Sequence, residues 1–533
     1  MGRDFLDRVL DLPQFIANTI FDKNVKLAND KVFSLDSLFL EAKRTNPFGQ
    51  AFSYINKSDI LLDKMDGNRH TLVCAKTGAG KTELMYQLID EKLSSNRPII
   101  FIDGKGSTQT LKKFYSLNKH YKRKCYVMSN KVKNSIKCNP VYEGDITSIV
   151  DRIMTSFKFE NPYYRSSNRR ALTESMKLLK KHGYKPSLEN ILSGIVSSSA
   201  KDKDAYSDIV NKLSAVVNSS FGELVNETES PFVFSRIRNE KASIYIDVST
   251  LGYPDIATAI GNLFIQELSF LTHEVLSYET SEKIKRHPLS CIIDEFGTLG
   301  TENTISLINK CREANLDLTL LVQTISDLDE INGDVYRKRI IGNMDNFYIG
   351  TTVNPEEADL LANIIGTDTS ISSTHVIEDL LETGMGTFKE VYEYKIHPSV
   401  FKNLGVGQFV IKNIFPSNYI DVIKLYQKKF DYEHFFDLEI TSFEEKEKDE
   451  NTSQISFNDV KKSPKRVKQT KTKEDVEERK GVLPQHVVVK PVKVVASKTS
   501  EEISVELRKY ITGDYECKSD ASSSNKEKIS FRI

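Results

Sequence analysis

Cysteine is scarce and unpatterned in this chain. Cys74, Cys125, Cys138, Cys291, Cys311 and Cys517 are the six, and none stands in a CxxC or other ligand spacing. That argues against a disulfide framework and a thiolate metal module. Thiols inside apolar runs act as small hydrophobes, as expected in a reducing cytoplasm. An excess of one charge sign is lacking too. The 74 basic residues balance the 74 acidic ones, so any contact with nucleic acid must come from a local patch rather than a global field. No uncharged apolar run approaches the roughly 18 residues that a membrane span needs. Met1 to Asp22 is amphipathic, interrupted by Asp4, Asp7, Arg8 and Asp11, so it reads as neither signal peptide nor anchor. A helix packing on the main body accounts for it, with a docking helix for a membrane partner as the other reading. Internal repeats, helix-turn-helix patterns and zinc modules are missing, so sequence-specific reading of DNA is not indicated. The 533 residues, 39% of them hydrophobic, leave room for about two to four domains with a real core.

What is present begins with Ala75-Lys76-Thr77-Gly78-Ala79-Gly80-Lys81-Thr82, which follows the apolar run Thr71-Leu72-Val73-Cys74 and precedes the helix-like run Glu83 to Ile89. Strand, glycine-rich loop, Gly-Lys-Thr and helix is the arrangement that cradles nucleotide phosphates. Backbone N–H groups of Thr77, Gly78, Ala79 and Gly80 close around the anion, with the partial positive charge of the helix N-terminus behind them. Lys81 reaches the β- and γ-phosphates, and the Thr82 hydroxyl is a Mg²⁺ ligand. Ala75 stands where such loops usually carry their first glycine, and it fits the turn if its φ is negative. Far downstream, Ser290-Cys291-Ile292-Ile293 is an apolar strand ending in Asp294-Glu295. At the carboxyl edge of a sheet, Asp294 completes the Mg²⁺ shell opposite Thr82, and Glu295 orients or deprotonates the attacking water. Gln323 closes the next strand, Leu320-Leu321-Val322, and is placed to sense the γ-phosphate. The cofactors expected are therefore ATP and Mg²⁺.

The alternation of strands and helices predicts an α/β fold: a RecA-like P-loop motor domain with a mainly parallel sheet, an inserted all-α domain and a disordered C-terminal tail. The predicted boundaries are 1–68 for an N-terminal segment of the motor domain, 69–144 for its first part with the phosphate loop and 145–240 for the helical insertion. The second part, with the Asp-Glu and Gln motifs, takes 241–442, and the tail takes 443–533. The tail holds the charge-rich run Glu444 to Glu450, the basic block Lys461 to Lys473 and a Val-rich island from Val487 to Val495. Such a composition buries too little apolar surface to order itself.

A motor whose ATP sits between ring subunits needs an arginine supplied in trans. Arg312 is the first candidate; Arg337 and Arg339 are the second. Basic clusters with tyrosines beside them, Lys112-Lys113, Lys119 to Lys124, Arg165 to Arg170 after Tyr163-Tyr164, and Lys461 to Lys468, are candidates for contacting DNA, although a charge run is usually a solvated face.

In this order the motifs resemble the type IV coupling proteins of conjugation and type IV secretion, the TraD/TraG group of the HerA/FtsK superfamily. Thr77 to Thr82 looks like the family's phosphate loop, Phe101-Ile102-Asp103-Gly104-Lys105-Gly106 like its Asp-x-Lys-Gly strand and Cys138-Asn139-Pro140 like its Asn-Pro turn. Ile293-Asp294-Glu295-Phe296-Gly297 looks like its Asp-Glu-Phe motif, and Arg312 with Leu321-Val322-Gln323 like its Arg…Gln segment. Gly342-Asn343, Glu357-Ala358 and Gly366 resemble the stretch after it. The resemblance runs from about Arg69 to Ile411. It implies a homohexameric ring and ATP-driven movement or hand-over of DNA, often with an attached relaxase, to secretion-channel components. Many members begin with transmembrane helices, which this chain does not show. The expected place is the cytoplasm, at most peripheral at the inner face of the membrane. Two further readings stand beside this one: a HerA/FtsK-like DNA-processing translocase unconnected to secretion, and a substrate-recruitment receptor acting through the tail.

Overall fold

The computed structural model describes residues 51–440, apart from 57, 61, 63–68, 160–161, 199–205, 379–380, 415–417 and 427–429. The predicted tail (443–533) and most of the N-terminal segment lie outside the described residues, as do Cys517 and the Lys461 to Lys468 cluster.

An eleven-stranded mixed sheet runs through the described chain. Its strands are β1 (Ala51–Ser53), β2 (Ser58–Ile60), β3 (Thr71–Cys74), β4 (Ile99–Asp103), β5 (Cys125–Met128), β6 (Ser243–Asp247), β7 (Leu289–Asp294), β8 (Leu316–Val322), β9 (Asn346–Ile349), β12 (Gln408–Asn413) and β13 (Tyr419–Leu425). The spatial order is β2-β1-β13-β12-β9-β3-β8-β7-β4-β6-β5. From β9 to β5 every pairing is parallel, while β12, β13, β1 and β2 add an antiparallel flank. Strands β10 (Thr367–Glu378) and β11 (Leu381–Tyr394) form a separate antiparallel hairpin.

The central strands are apolar on both faces, as a sheet covered on both sides requires. Their side chains alternate between two cores. Leu72, Ile100, Ile102, Ile246, Ile293 and Leu320 join one buried cluster. Val73, Phe101, Tyr245, Ile292 and Leu321 join the other, together with Leu84, Met85 and Leu88 of the helix Lys81–Ser94. Between β5 and β6 the described elements are all helices, including Ile146–Ser156, Pro162–His182, Leu188–Ser198 and Ser207–Val217. Their buried residues Ile149, Leu172, Ile191 and Leu213 share the first core with the sheet and with the long helix Pro254–Tyr278, so the helical stretch is packed onto the sheet rather than hung from it. The cysteines Cys74, Cys138, Cys291 and Cys311 are buried and free, and burial raises the pKa of each thiol.

Parallel topology brings the carboxyl ends of β3, β7 and β8 to one edge, because β8 pairs with both of the others. The phosphate-loop motif, the Asp-Glu pair and Gln323 each sit just past one of these ends.

Candidate nucleotide site

The loop between β3 and the helix Lys81–Ser94 has the backbone of an anion cradle. Gly78 and Gly80 take φ of 83° and 99°, a region that L side chains rarely enter. Gly80 has a second reason to lack a side chain: a Cβ there would stand 2.9 Å from the Gly407 nitrogen, whose N–H donates to the Ala79 carbonyl at 2.8 Å. The turn before β12 therefore buttresses the loop. Ala75 is buried, donates its N–H to the Val322 carbonyl at 3.3 Å, and is not among the described residues with positive φ, so alanine fits there.

Lys81 points across the sheet edge. Its Nζ lies 3.6 Å from Asp294 Oδ1 and 3.9 Å from Glu295 Oε1, yet it is buried and makes no hydrogen bond. A buried ammonium held near two carboxylates without a hydrogen-bond acceptor of its own is suited to an anionic oxygen entering between them. Asp294 is buried, and desolvation pushes its carboxyl pKa up. Lys81 pulls it down and Glu295 adds to the rise.

Glu295 has φ 56° and ψ 43°, left-handed backbone for a non-glycine residue. Such a conformation costs about 1–3 kcal/mol and is typical of functional turns. Here it swings the carboxylate off the end of β7 toward Gln323. The Gln323 amide donates from Nε2 to Glu295 Oε2 at 3.0 Å and to Oε1 at 3.2 Å, while its Oε1 accepts from the Thr77 hydroxyl at 3.2 Å. Gln323 thus bridges the phosphate loop and the acidic pair. Thr82 is exposed at the first turn of its helix, facing solvent rather than the core.

Lys81, Asp294, Glu295, Gln323, Thr77 and the glycines converge, and Arg312 does not. It ion-pairs with Asp345 at 3.1 Å, just before β9. Because β9 starts beside the first residue of β3, Arg312 lies at the opposite edge of the sheet from the phosphate loop. Arg337 pairs with Asp329, and Arg339 is exposed. Of the clusters Lys112-Lys113 and Lys119 to Lys124, three lysines pair within the chain: Lys112 with Glu433 at 3.1 Å, Lys119 with Asp437 at 3.0 Å and Lys124 with Glu240 at 3.1 Å. Arg165 and Arg170 are exposed on Pro162–His182, while Arg169 pairs with Asp151.

Sequence reasoning assigned no role to Asp103, although it noted the motif around it. This buried carboxylate accepts from the N–H groups of Lys105 (2.9 Å), Gly106 (3.1 Å) and Ser107 (3.3 Å) and from the Tyr245 hydroxyl. It folds the loop after β4 against the site, where a Cβ on Gly104 would stand 3.0 Å from Glu295 Cβ. Burial, with Asp294 nearby, pushes its pKa up to about 6. The signal was in the motif: an Asp followed by Gly-Lys-Gly forms such a side-chain-capped turn.

A mainly parallel sheet with a glycine-rich phosphate loop and a lysine facing two carboxylates defines a P-loop nucleoside triphosphatase fold. Known proteins agree. The family model for the central domain of the helicase HerA matches residues 52–266, and the one for the TraM recognition site of TraD and TraG matches 288–387. The bacterial conjugative coupling protein TrwB is similar in structure, with a TM-score of 0.55 at 15% identity over 68% of this chain and 86% of that one. TrwB has also been solved in complex with ADP and Mg²⁺, at a TM-score of 0.52, 16% identity and the same coverage. VirB4 of Thermoanaerobacter pseudethanolicus matches with a TM-score of 0.51 at 13% identity over 74% of this chain and 99% of its own. An uncharacterized protein of Mycoplasma pneumoniae is 29% identical over 82 residues, which is 15% of this chain and 55% of that protein, so the chain spans about half the length of this curated relative. The chain is thus similar to the HerA central domain over its first half and to the TraM recognition site of TraD and TraG beyond it, on a fold like that of TrwB. Among the described residues no helix is long and apolar enough to cross a membrane.

Proposed function

We propose that the chain is an ATP-hydrolysing ring motor that couples or translocates DNA, with an attached relaxase or other substrate, to a type IV secretion channel. The observation that carries the ATPase reading is the buried Lys81 ammonium, without a hydrogen bond, 3.6 Å from Asp294 and 3.9 Å from Glu295 at the mouth of the glycine loop. The ATP and Mg²⁺ assignment draws further support from TrwB, which has been solved with ADP and Mg²⁺ and with a non-hydrolysable ATP analogue.

In this reading the backbone N–H groups of Thr77 to Thr82 bind the phosphates and Lys81 neutralises their terminal charge. Thr82 and Asp294 would hold Mg²⁺, which offsets the charge developing on the β- and γ-oxygens. Glu295 takes the proton of the attacking water. Gln323 donates to Glu295, so it holds that carboxylate in place, and its link to Thr77 makes it responsive to the contents of the loop. Arg312, at the far edge of the sheet, would serve a neighbouring protomer in a hexamer, with Arg337 and Arg339 as the second choice. The family models support the assignment to DNA and secretion. The match to the HerA central domain also favours a second reading, a DNA-processing translocase without a secretion partner.

The test is ATP turnover by the purified chain with and without DNA. Stimulation that falls steeply with salt supports the motor reading. Turnover indifferent to both single- and double-stranded DNA contradicts it.

A further inference from the structure

Gln323 sits on a loop, and a loop alone does not hold an amide within 3.0 Å of a strained carboxylate. Part of the restraint is local. Asp327 Oδ2 accepts from the Gln323 and Thr324 N–H groups at 2.9 and 3.0 Å, and Asp327 Oδ1 accepts from the Thr324 hydroxyl. The Asp327 Cβ also packs against Gly297, where an added Cβ would come within 2.6 Å of it. The rest comes from far along the chain. Glu357, on the helix Pro355–Ile365, accepts from the Ile325 N–H at 2.8 Å through Oε1 and from the Thr352 hydroxyl through Oε2. The thiol of Cys74, the residue before Ala75, lies 3.9 Å from Oε1. One carboxylate therefore touches the end of the phosphate-loop strand, the turn carrying Gln323, and the segment after β9.

This carboxylate is buried, at 6% exposure, and no cation pairs with it among the described residues. Burying an unpaired charge is costly unless hydrogen bonds and fixed dipoles replace water. Both are present. Asn354 caps the helix, which places Glu357 in its first turn, where the helix dipole favours an anion. A carboxylate so costly to bury, spent on the turn two residues beyond Gln323, is more than packing requires.

We infer that Glu357 is a positioning residue for hydrolysis: it fixes the turn at Ile325 so that the Gln323 amide stays on Glu295. This rests on the ATPase reading above.

The test compares two variants of the full chain. Glu357→Met keeps the volume and removes both acceptors. Glu357→Gln keeps an oxygen for the Ile325 N–H, and its amide can donate to the Thr352 hydroxyl, which rotates to accept. Glu357→Met is expected to lower kcat about tenfold or more while the KM for ATP changes less than about threefold, since misplacing a catalytic group by about 1 Å costs up to about a hundredfold. Glu357→Gln is expected to recover kcat to within about threefold of the parent. Equal loss in both variants, unchanged kcat in Glu357→Met, or loss that follows the fraction unfolded at the assay temperature overturns the inference. Absence of turnover in the parent chain would instead overturn the ATPase reading, so the two failures are distinguishable.

Discussion

Replacing Glu295 by glutamine is nearly isosteric and removes one negative charge and one proton acceptor. The proposed base contributes about 10²–10⁴ in rate, or about 3–5 kcal/mol of barrier at about 1.4 kcal/mol per tenfold. The same change acts differently on binding. Glu295 lies 3.9 Å from the Lys81 ammonium and adds to the repulsion that raises the Asp294 pKa. Neutralising it frees Lys81 for phosphate and lowers the negative potential at the loop mouth. The Gln323 Nε2 now donates to both carboxylate oxygens; the new side chain keeps one of them as an amide oxygen, so one of these two hydrogen bonds is retained and the other is lost. The expected result is a kcat lower by about two to four orders of magnitude, with ATP binding equal to the parent or tighter. Single-turnover hydrolysis together with equilibrium binding of a fluorescent ATP analogue separates the two quantities. A variant that keeps more than about a tenth of the parent turnover, or that loses binding in step with turnover, refutes the assignment of Glu295 as base.

Gln323→Ala should lower kcat with little change in ATP affinity, because the amide touches Glu295 and Thr77 and lies outside the loop backbone; parallel losses of kcat and affinity in steady-state assays would contradict this. Gly80→Ala should abolish nucleotide binding, since the new Cβ meets the Gly407 nitrogen at 2.9 Å in a backbone of φ 99°; calorimetric binding at parental affinity would refute the buttressed-loop description. Buried Glu267 accepts from the Phe234 N–H, and burial pushes its pKa up from 4.5 to about 8. The folded chain therefore binds one more proton than the unfolded chain between these values, and this residue's contribution to stability falls as pH rises through that window. Glu267→Gln should abolish that loss, gaining up to about 1.4 kcal/mol per pH unit over the parent; urea titrations at pH 5 and pH 8 that show the same difference at both would contradict it.

The parallel core of the sheet and its carboxyl-edge motifs were legible because each carries its own local signature. Thr71–Cys74 and Leu289–Asp294 are apolar runs that end directly in chemistry-bearing residues, and parallel pairing brings such ends together without further instruction. The antiparallel flank was legible only in part. β12 spans the apolar-centred run Gln408–Asn413, whereas the pairing of β13 with β1 carries no such local signature. Their pairing is secured by contacts such as the Ser53 hydroxyl on Asp421 at 2.5 Å, 368 residues apart, which no local pattern announces. The hairpin Thr367–Tyr394 was missed because its first strand is mostly Ser, Thr and Asp rather than β-branched apolar residues. In the site, residue types gave the roles, whereas the left-handed turn at Glu295 and the Glu357 anchor exist only through tertiary packing.

The central claim, that one nucleotide is shared by Lys81 and the acidic pair, is tested most directly by a structure of the chain with Mg²⁺ and a non-hydrolysable ATP analogue. The expected result is a terminal phosphate oxygen within about 3 Å of Lys81 Nζ, with the metal on Thr82 and Asp294 and with Glu295 facing the phosphorus from the side of Gln323. An analogue seated away from the Gly78–Thr82 loop, or a Glu295 carboxylate turned away from the terminal phosphate in every protomer, would contradict it.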